Sequence, residues 1–460
     1  MNVLVINGSP SGDDSITLQT VLYIQKSRPD VSFEFLNAAW KIRSIEKDFA
    51  PVRRALEQAD LLLFSYPVYT FLVPAQLHRF LELVKDSGAE LRGKYATQIT
   101  TSKHFYDTTA HQFIQDNCAD LGLRYVRGLS ADMEDLLHKK GQKEALDFFR
   151  YVCWSMEQGI SEPVLPRPSE LPELKTASLP EHAVPDSDRT KRVVVVTDLD
   201  AAAQPRLAAM IDRFRTVSDA EVSVVNLREF PFAGGCLGCF RCASEGKCVY
   251  KDGFDVLLRE HIQTGDAIVY AYTIRDHSMG YRFKLYDDRQ FCNGHRTVTM
   301  GKPVGYLIDG HLAQEPNLQI LMEARAQVGG NFLAGIAADA ADPDGEIDAL
   351  ARKLSFALRH DYQPPKTFYG VGGLKIFRDL IYQMQGLMRE DHRFYKEHGF
   401  YDFPQKRRAA IAGMYLVGSM MKNEKLSKKL SSKMTGGMIM PYKAVLNKAD
   451  KKSSRKGRLL

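Results

Sequence analysis

Short runs of consecutive apolar residues alternate with amphipathic stretches along the first 160 residues. The runs have the length and β-branched content of buried strands, and the stretches between them have helical spacing. The predicted strands are 3–6, 31–36, 61–64, 95–100 and 123–126, and the predicted helices are 16–25, 52–58, 74–84, 109–118 and 142–156. Apolar strands alternating with helices predict a doubly wound parallel sheet, because such a sheet is covered on both faces.

The same alternation returns later in the chain. Residues 161–190 hold six of the twenty prolines and predict a semi-extended linker. Beyond it, strands are predicted at 192–196, 221–225, 267–271 and 303–308, and helices at 206–214, 254–262 and 347–358. Helices alone follow, at 374–389 and 409–421. We therefore expect two α/β domains with five strands each, 1–160 and 191–363, and then a helical extension, 364–460.

The net charge of +6 is unevenly distributed. Residues 421–460 carry twelve basic residues against Glu424 and Asp450, a net of +10, so the other 420 residues sum to −4. The mildly acidic body argues against specific nucleic-acid binding, whereas the tail is suited to an anionic surface. The last predicted helix is either a cap on the sheet domains or an interfacial membrane helix.

No export signal precedes the first strand, and the apolar segment 409–421 is shorter than the roughly 20 residues that cross a bilayer. The sequence therefore predicts a cytoplasmic protein, in which paired disulfides are not expected.

The turn after the first strand is rich in glycine and hydroxyl groups, and it leads into the first helix. It reads Asn7-Gly8-Ser9-Pro10-Ser11-Gly12-Asp13-Asp14-Ser15-Ile16-Thr17. Hydroxyls and the free N–H groups of a helix amino terminus can bind a phosphate. The loop lacks lysine, which excludes a nucleoside-triphosphatase loop and favours a phosphate monoester.

Two further loops are expected at the same edge of the sheet, since ligands of open α/β sheets lie outside the carboxyl ends of the strands. One runs from Ser65 to Leu77 and contains Pro-Val-Tyr and Val-Pro-Ala-Gln-Leu, and the other runs from Thr100 to Asp107. Backbone N–H groups at 68–70 are candidates to bond the polar edge of a flavin ring.

The Gly-Ser-Pro loop together with the Pro-Val-Tyr and Val-Pro-Ala-Gln-Leu segments resembles the flavodoxin-like NAD(P)H-dependent FMN reductase family, including its iron–sulfur flavoprotein branch. The resemblance covers residues 1–158 and implies two tandem flavodoxin-like domains, of which the second is degenerate. It implies FMN in the first domain, with these candidate contacts: Ser9, Ser11, Ser15, Ile16 and Thr17 at the phosphate, and Pro67, Val68, Tyr69, Thr70, Thr101 and His104 near the ring. The turn after the fourth strand matches the family's third flavin-contacting loop by position, and its Lys103 and His104 are candidates to face the negative charge of the reduced flavin.

The resemblance implies an oxidoreductase that takes electrons from NAD(P)H and passes them to a small-molecule or protein acceptor. No catalytic residue is nominated, because hydride and electron transfer belong to the cofactor. A different class is the alternative, namely a flavodoxin- or ferredoxin-type electron-transfer protein that serves a redox partner without using nicotinamide. Members of this fold dimerise across the flavin edge, so we expect either a homodimer or a tandem that replaces that contact.

Four cysteines of the second domain lie within thirteen positions and have the spacing C-x2-C-x2-C-x5-C: Cys236, Cys239, Cys242 and Cys248. Three interpretations stay open, namely a [4Fe–4S] cluster as in the iron–sulfur flavoproteins, a zinc ion, or reduced thiols.

The second domain lacks a phosphate loop. Asp198 and Asp200 follow its first strand and would repel a phosphate, so a second FMN is not expected. Arg275, His277 and Tyr281 are candidates for a substrate pocket. Cys292 is followed closely by His295 and is a candidate nucleophile.

Overall fold

The structure is a computed structural model that describes residues 1–164, 171–181, 190–340 and 342–421. The predicted linker therefore lies partly outside the described residues, and the basic tail from 422 onward lies outside them. Residues 171–181 contain no helix or strand, and the backbone N–H of Lys175 donates to the Asp339 carbonyl at 2.7 Å.

The first domain contains a parallel sheet in the order β2-β1-β3-β4-β5. Its strands are β1 (Asn2–Asn7), β2 (Ser32–Leu36), β3 (Leu61–Pro67), β4 (Tyr95–Ser102), β5 (Arg124–Tyr125) and β6 (Leu129–Asp132). The predicted single strand at 123–126 is corrected to two short strands, β5 and β6, which pair with successive parts of β4. Between them Gly128 approaches β4 so closely that a Cβ would lie 2.6 Å from the Gln98 carbonyl oxygen.

Six helices accompany this sheet: α1 (Ile16–Ser27), α2 (Ile42–Lys47), α3 (Ala50–Gln58), α4 (Ala75–Asp86), α5 (Asp107–Asp120) and α6 (Lys139–Glu157). Side chains of successive residues on β1 are buried in different clusters. Val3 and Val5 belong to one cluster, whereas Leu4 and Ile6 belong to another. This explains why β1 has a continuous apolar sequence.

The second domain repeats the strand order of the first, as β8-β7-β9-β10-β11. Its strands are β7 (Arg192–Thr197), β8 (Glu221–Asn226), β9 (Ala267–Thr273), β10 (Pro303–Asp309) and β11 (Phe332–Ala338). Its helices are α7 (Pro205–Val217), α8 (Arg241–Glu245), α9 (Phe254–Val256), α10 (Gly280–Arg289), α11 (Pro316–Gly329) and α12 (Pro343–His360). In both sheets the numerical order is 2-1-3-4-5, the flavodoxin order, so the predicted fold class is confirmed.

Four elements of the second domain were not predicted, namely α8, α10, α11 and β11. The predicted helix 254–262 is α-helical only in α9 and continues as a π-helix, Leu257–Ile262. Helix α10 lacked an amphipathic pattern because its polar residues Lys284, Asp287, Asp288 and Arg289 are buried. Strand β11 is rich in glycine and alanine, so it lacked the β-branched signal of the other strands.

The two sheet domains belong to one compact unit, Met1–His398. Helix α4 packs on α10, and α5 packs on α11. The paired helices occupy equivalent positions in the two domains. Helices α4 and α10 follow the third strand of their sheets, and α5 and α11 follow the fourth. The second domain thus packs on the first through the equivalent helices of each.

The helical extension is divided between two units. Helices α13 (Phe368–Gln383) and α14 (Arg389–Glu397) belong to the first unit. The second unit begins at Gly399 and contains α15 (Arg408–Met421). Among the described residues, none of the helices has both the length and the apolar content needed to cross a bilayer.

Candidate functional site

Asn7 at the end of β1 organises the hydroxyl-rich loop. Its side-chain Nδ2 donates to the Gly12 carbonyl and to Asn37 Oδ1, each at 2.8 Å. Its Oδ1 accepts from the Ser9 N–H at 3.1 Å. Gly8 lies directly against α4, where a Cβ would meet Leu77 at 2.5 Å. The loop therefore requires glycine at position 8 and is held from within by one buried amide.

Three of the predicted phosphate-binding hydroxyl residues are almost fully buried: Ser9, Ser15 and Thr17. Ser15 is the N-cap of α1, and its side chain accepts from the Leu18 N–H at 3.4 Å. The Thr17 hydroxyl lies 2.6 Å from that of Thr101 at the end of β4. This contact joins the phosphate loop to the third loop, as expected for loops at the same end of a parallel sheet.

The second loop has a tight turn in which Thr70 and Phe71 have φ values of 41° and 72°. The Tyr69 N–H donates to the Leu72 carbonyl at 2.8 Å. This bond corrects one expectation from the sequence, because the Tyr69 N–H is already used inside the turn.

Helix α10 of the second domain holds this turn through hydrogen bonds. The buried Lys284 Nζ donates to the Tyr69 carbonyl at 3.0 Å and to the Thr70 hydroxyl at 3.1 Å. Lys284 also pairs with Asp288, and Asp288 accepts from the Thr70 hydroxyl. The second Asp288 oxygen accepts from the Ala75 N–H at 2.8 Å, at the start of α4. A buried ion pair of one domain thereby fixes a candidate flavin loop of the other.

The cysteine loop follows β8 and is docked against the first domain. Gly238 has φ +64°, and a Cβ there would lie 2.1 Å from the Tyr69 hydroxyl oxygen. Gln76 Nε2 of α4 donates to the Cys236 carbonyl at 3.4 Å. Arg289 donates to the Gly234 carbonyl at 2.8 Å. These contacts hold Gly234, which precedes the four-cysteine segment, and Cys236 and Gly238, which lie within it.

Burial changes the chemistry of these thiols. It raises the pKa of Cys236 above its usual range and the pKa of Cys242 to about 11, while Cys239 is exposed. Metal binding requires thiolates, so a cation would have to offset this burial.

The spacing of the sulfur atoms discriminates between metal groups. Zinc–sulfur bonds of about 2.3 Å place the sulfurs of a tetrahedral site ~3.8 Å apart. Among the described residues, no three of these sulfurs lie within 4.8 Å of one another; the one such set of potential ligands is His78, Glu82 and Asp276. The four sulfurs therefore do not form the close set that a single zinc ion needs.

A cavity of about 300 Å³ collects the predicted residues from both domains. This volume is at the lower end of the range for ligand pockets, roughly 300–1,000 Å³. All four cysteines of the loop line it, and so do ten of the eleven predicted cofactor residues. The ten are Ser9, Ser11, Ser15, Ile16, Thr17, Pro67, Val68, Tyr69, Thr70 and Thr101.

His104 is the predicted cofactor residue that does not line the cavity. Its side chain is half exposed, and its Nδ1 lies 2.9 Å from Asp107 Oδ2. Lys103 does line the cavity, but its Nζ donates to Asp132 Oδ1 at 2.8 Å, and this pairing raises the Lys103 pKa against the opposing effect of burial. Each of the two side chains is thus paired with a carboxylate.

The cavity wall also contains residues that the sequence did not indicate as cofactor contacts. Helix α13 contributes Ile376, Phe377 and Leu380, and the segment after α10 contributes Phe291, Cys292 and His295. Phe377 stacks on Phe105 at 4.2 Å between ring centroids. Apolar residues at helical spacing in α13 carried no signal that would separate a cavity wall from ordinary core.

The substrate candidates of the second domain lie elsewhere. His277 is placed between Asp120 at 2.9 Å and Glu315 at 3.0 Å, and these carboxylates raise its pKa to about 9 although burial opposes the shift. Arg275, His277 and Tyr281 do not line the cavity.

The loop positions equivalent to a phosphate site are occupied by acidic side chains. Burial raises the pKa of Asp198 to about 6. Arg206 pairs with Asp309 at 2.8 Å and with Asp339 at 3.0 Å. Carboxylates thus lie at the carboxyl ends of β7, β10 and β11.

Comparison with known proteins supports the resemblance of the first domain to flavin reductases. Residues 1–127 match the family model described as NADPH-dependent FMN reductase, which confirms the resemblance for that part of the chain. An iron–sulfur flavoprotein of Archaeoglobus fulgidus is 26% identical over 174 residues, which are 36% of this chain and 79% of the relative. A ribosyldihydronicotinamide dehydrogenase [quinone] of Rattus norvegicus is 28% identical over 121 residues, which are 26% of this chain and 44% of the relative.

Among solved structures, an FMN-dependent NADH-azoreductase of Bacillus anthracis in complex with FMN matches 33% of this chain and 98% of its own. The sequence identity is 15%, and the TM-score is 0.28.

Proposed function

We propose, from the reductase-family match of residues 1–127, that this protein is an FMN-dependent NAD(P)H oxidoreductase passing electrons to a small-molecule or protein acceptor. One observation carries the proposal. Three loops of the first domain and the cysteine loop of the second line the same cavity. A flavin there and a redox group on the cysteines would be neighbours.

The residues present fit FMN. The hydroxyls of Ser9, Ser11, Ser15 and Thr17, with the amino terminus of α1, would hold the phosphate through hydrogen bonds. The turn at 67–70 and Thr101 would lie beside the ring. FMN, when bound, supplies the hydride and single-electron chemistry. The protein's own part is to bind it, orient it and exclude water with α13.

We propose a [4Fe–4S] cluster on Cys236, Cys239, Cys242 and Cys248. Such a group would accept single electrons and relay them. The C-x2-C-x2-C-x5-C spacing of the cysteines in the sequence and the shared cavity support it.

We also propose that the tandem arrangement takes the place of a homodimer. The helices of the two domains that pack on each other, α4 with α10 and α5 with α11, follow equivalent strands. One chain would then contain a complete site. Size-exclusion chromatography with light scattering tests this, and an obligate dimer would contradict it.

The flavin is tested by purifying the full chain without air and measuring FMN after denaturation. Anaerobic NADH or NADPH should bleach the visible flavin absorption. Bleaching by dithionite but not by either nicotinamide would favour the electron-transfer protein instead. Colourless protein that does not bind added FMN would refute the proposal.

The cluster is tested by iron and acid-labile sulfide in the same preparation. Cys236→Ser should lose most of the iron, whereas Cys153→Ser should retain it, because Cys153 lies outside the cavity and contacts Arg28 at 3.5 Å. Zinc without iron, or neither metal, would contradict the cluster.

A second proposal concerns where the protein works. Helix α15 exposes much of its apolar surface, with Met414 69%, Tyr415 79% and Leu416 60% exposed. Basic residues precede it, and the +10 segment follows it in the sequence. We propose that this protein is cytoplasmic and docks on an anionic lipid surface through α15, with the tail at the headgroups.

Flotation with phosphatidylglycerol-containing vesicles tests the docking. The full chain should float with them, and much less with pure phosphatidylcholine. Leu416→Glu and high salt should each weaken flotation. Binding to RNA without flotation, or self-association through α15, would overturn it.

A further inference from the structure

Three potential metal ligands meet at the interface of the two sheet domains. His78 and Glu82 lie four residues apart on α4, so they share one face of the helix. Asp276 lies in the turn that follows β9 of the second domain. One donor atom of each residue lies within 4.8 Å of the other two. None of the three is among the residues that line the cavity.

His78 is an unpaired imidazole in a buried position. Its side chain is fully buried, and neither ring nitrogen has a hydrogen-bond partner in the described parts of the chain. Its Nε2 lies 3.7 Å from Asp276 Oδ2, which is longer than a hydrogen bond. Buried polar groups normally have a partner. The nitrogen thus faces a carboxylate oxygen without bonding it, as two donors do when both bind a third atom.

The two domains supply an internal comparison, because two sets of three residues occupy equivalent positions. The sets are Thr70, His78 and Glu82 in the first domain, and Asp276, Lys284 and Asp288 in the second. In each set the second residue lies eight positions after the first, and the third lies twelve positions after it. The turns agree too, with successive φ values of 41° and 72° in one and 52° and 62° in the other. Each third residue accepts a backbone N–H of the opposite domain at 2.8 Å, so the interface is approximately two-fold symmetric.

The two halves of this interface differ in the groups that meet there. In one half the Lys284 ammonium bonds the Asp288 carboxylate and the Thr70 hydroxyl, the latter at 3.1 Å. In the other half a carboxylate, Asp276, takes the place of the hydroxyl, and the His78 imidazole takes the place of the ammonium. Two carboxylates and an imidazole form a ligand set for a cation, whereas the first half supplies its own cation.

Neighbouring cationic side chains hold the two carboxylates in place. Arg79 donates to Glu82 Oε2 and Lys85 donates to Asp276 Oδ1, each at 2.8 Å. An ionised carboxylate offers about four lone pairs, so both can still bind a metal ion. The Glu82 and Asp276 side chains are 17% and 14% exposed, which gives an ion access from solvent.

The donor atoms indicate which ion fits. Magnesium and calcium take oxygen ligands, whereas zinc binds both imidazole nitrogen and carboxylate oxygen. Zinc bonds of about 2.0–2.2 Å place tetrahedral donors about 3.4 Å apart, close to the 3.7 Å between His78 and Asp276. We propose that His78, Glu82 and Asp276 bind one zinc ion, with water as the fourth ligand. The ion holds the turn of the second domain on α4, as Lys284 holds the turn of the first domain on α10.

The zinc content of the full chain tests the site. The protein is stripped with EDTA and dialysed against buffered zinc that just saturates the wild type, and zinc is measured by elemental mass spectrometry. Glu82→Gln should hold one zinc ion per chain fewer than the wild type, because even changes behind a metal ligand weaken affinity 10- to 100-fold. Zinc on the cysteine loop would be equal in both proteins and does not affect this difference.

Glu46 provides the matched control. Arg79 pairs with Glu46 at 2.7 Å as well as with Glu82 at 2.8 Å. Each glutamine variant therefore removes one ion pair of Arg79, but only Glu82→Gln removes a proposed ligand. Glu46→Gln should retain the zinc. Glu82→Gln keeps a side-chain oxygen for the Tyr281 N–H, so its fold should persist.

His78→Lys separates the ion from the fold, because it introduces the ammonium found in the other half. This variant should lose the zinc, yet in EDTA it should unfold at or above the temperature of the stripped wild type. Added zinc should raise the unfolding temperature of the wild type more than that of His78→Lys, since an ion that binds the folded state stabilises it. If His78→Lys does not fold, the two glutamine variants still decide.

Equal zinc content in Glu82→Gln and the wild type would overturn the proposal, and so would equal losses in Glu82→Gln and Glu46→Gln. Retention of magnesium or calcium in preference to zinc would contradict the ion. None of these outcomes depends on the flavin.

Discussion

Replacing Lys284 with methionine tests whether the second domain holds the flavin loop. Lys284 and Asp288 are both fully buried, at positions i and i+4 of α10. The methionine keeps much of the side-chain volume but leaves the Asp288 carboxylate without its cation. Breaking one partner of a buried ion pair costs about 3–5 kcal/mol. Asp288 keeps the Thr70 hydroxyl and the Ala75 N–H as donors, so we expect the lower end, about 3 kcal/mol.

The chain contains a matched control. Lys143 and Asp147 form the same residue pair with the same spacing on α6, but the Lys143 side chain is 76% exposed. Lys143→Met should not change the free energy of unfolding measurably, because exposed pairs contribute little. Removing both buried charges, as in Lys284→Met with Asp288→Asn, should recover at least half of the loss.

The assay is denaturant unfolding of the full chain, followed by circular dichroism and by flavin release. Lys284→Met should also retain FMN less well, because Lys284 bonds the Tyr69 carbonyl and the Thr70 hydroxyl. If Lys284→Met is no more destabilising than Lys143→Met, the reasoning about burial is wrong. If stability falls but FMN affinity does not, α10 does not position the loop.

Three other predictions concern the domain interface and the phosphate loop. The pKa of His277 is raised from about 6.5 to about 9, so its contribution is complete below pH 6.5 and is lost as the pH rises through 9. The free energy of unfolding should fall over that window by up to ~3 kcal/mol, and the fall should be absent in His277→Leu. Gly238→Ala should lower iron content and stability, because its Cβ would meet the Tyr69 hydroxyl. Gly246→Ala has similar backbone strain, φ +72°, without an atom closer than 3.7 Å, and should retain the iron. Thr17→Val should weaken FMN binding about tenfold by equilibrium dialysis, since a hydroxyl at the phosphate is lost; an unchanged Kd would remove Thr17 from the site.

The first domain was readable from the sequence for a physical reason. Strands that are buried on both faces are continuous apolar runs, and the loops after β1, β3 and β4 meet at one edge by the geometry of a parallel sheet. The meeting of the hydroxyl-rich loop with the turn at 67–70 could therefore be predicted without knowing any side-chain contacts. His104 did not join them, because a local carboxylate, Asp107, pairs with its imidazole.

The second domain was less readable. Helix α10 carries a Lys-Asp pair and an arginine that look like surface residues. The Lys284–Asp288 pair is buried because it also bonds Tyr69, Thr70 and Ala75 of the first domain, and Arg289 is buried because it pairs with Asp252. Sequence periodicity records where apolar residues lie. It does not record a charge that is neutralised by a distant residue, so α10 was missed.

The sequence by itself determined the fold class, a hydroxyl-rich loop after β1 and a loop of four closely spaced cysteines, since each depends on residues close together in the chain. Only the tertiary structure decided that the cysteines of the second domain line the same cavity as the loops after β1, β3 and β4 of the first. It alone brought His78 of the first domain next to Asp276 of the second. Such convergence depends on how α4 packs on α10 and α13 on the cavity, and packing of distant surfaces leaves no periodic trace in a single sequence.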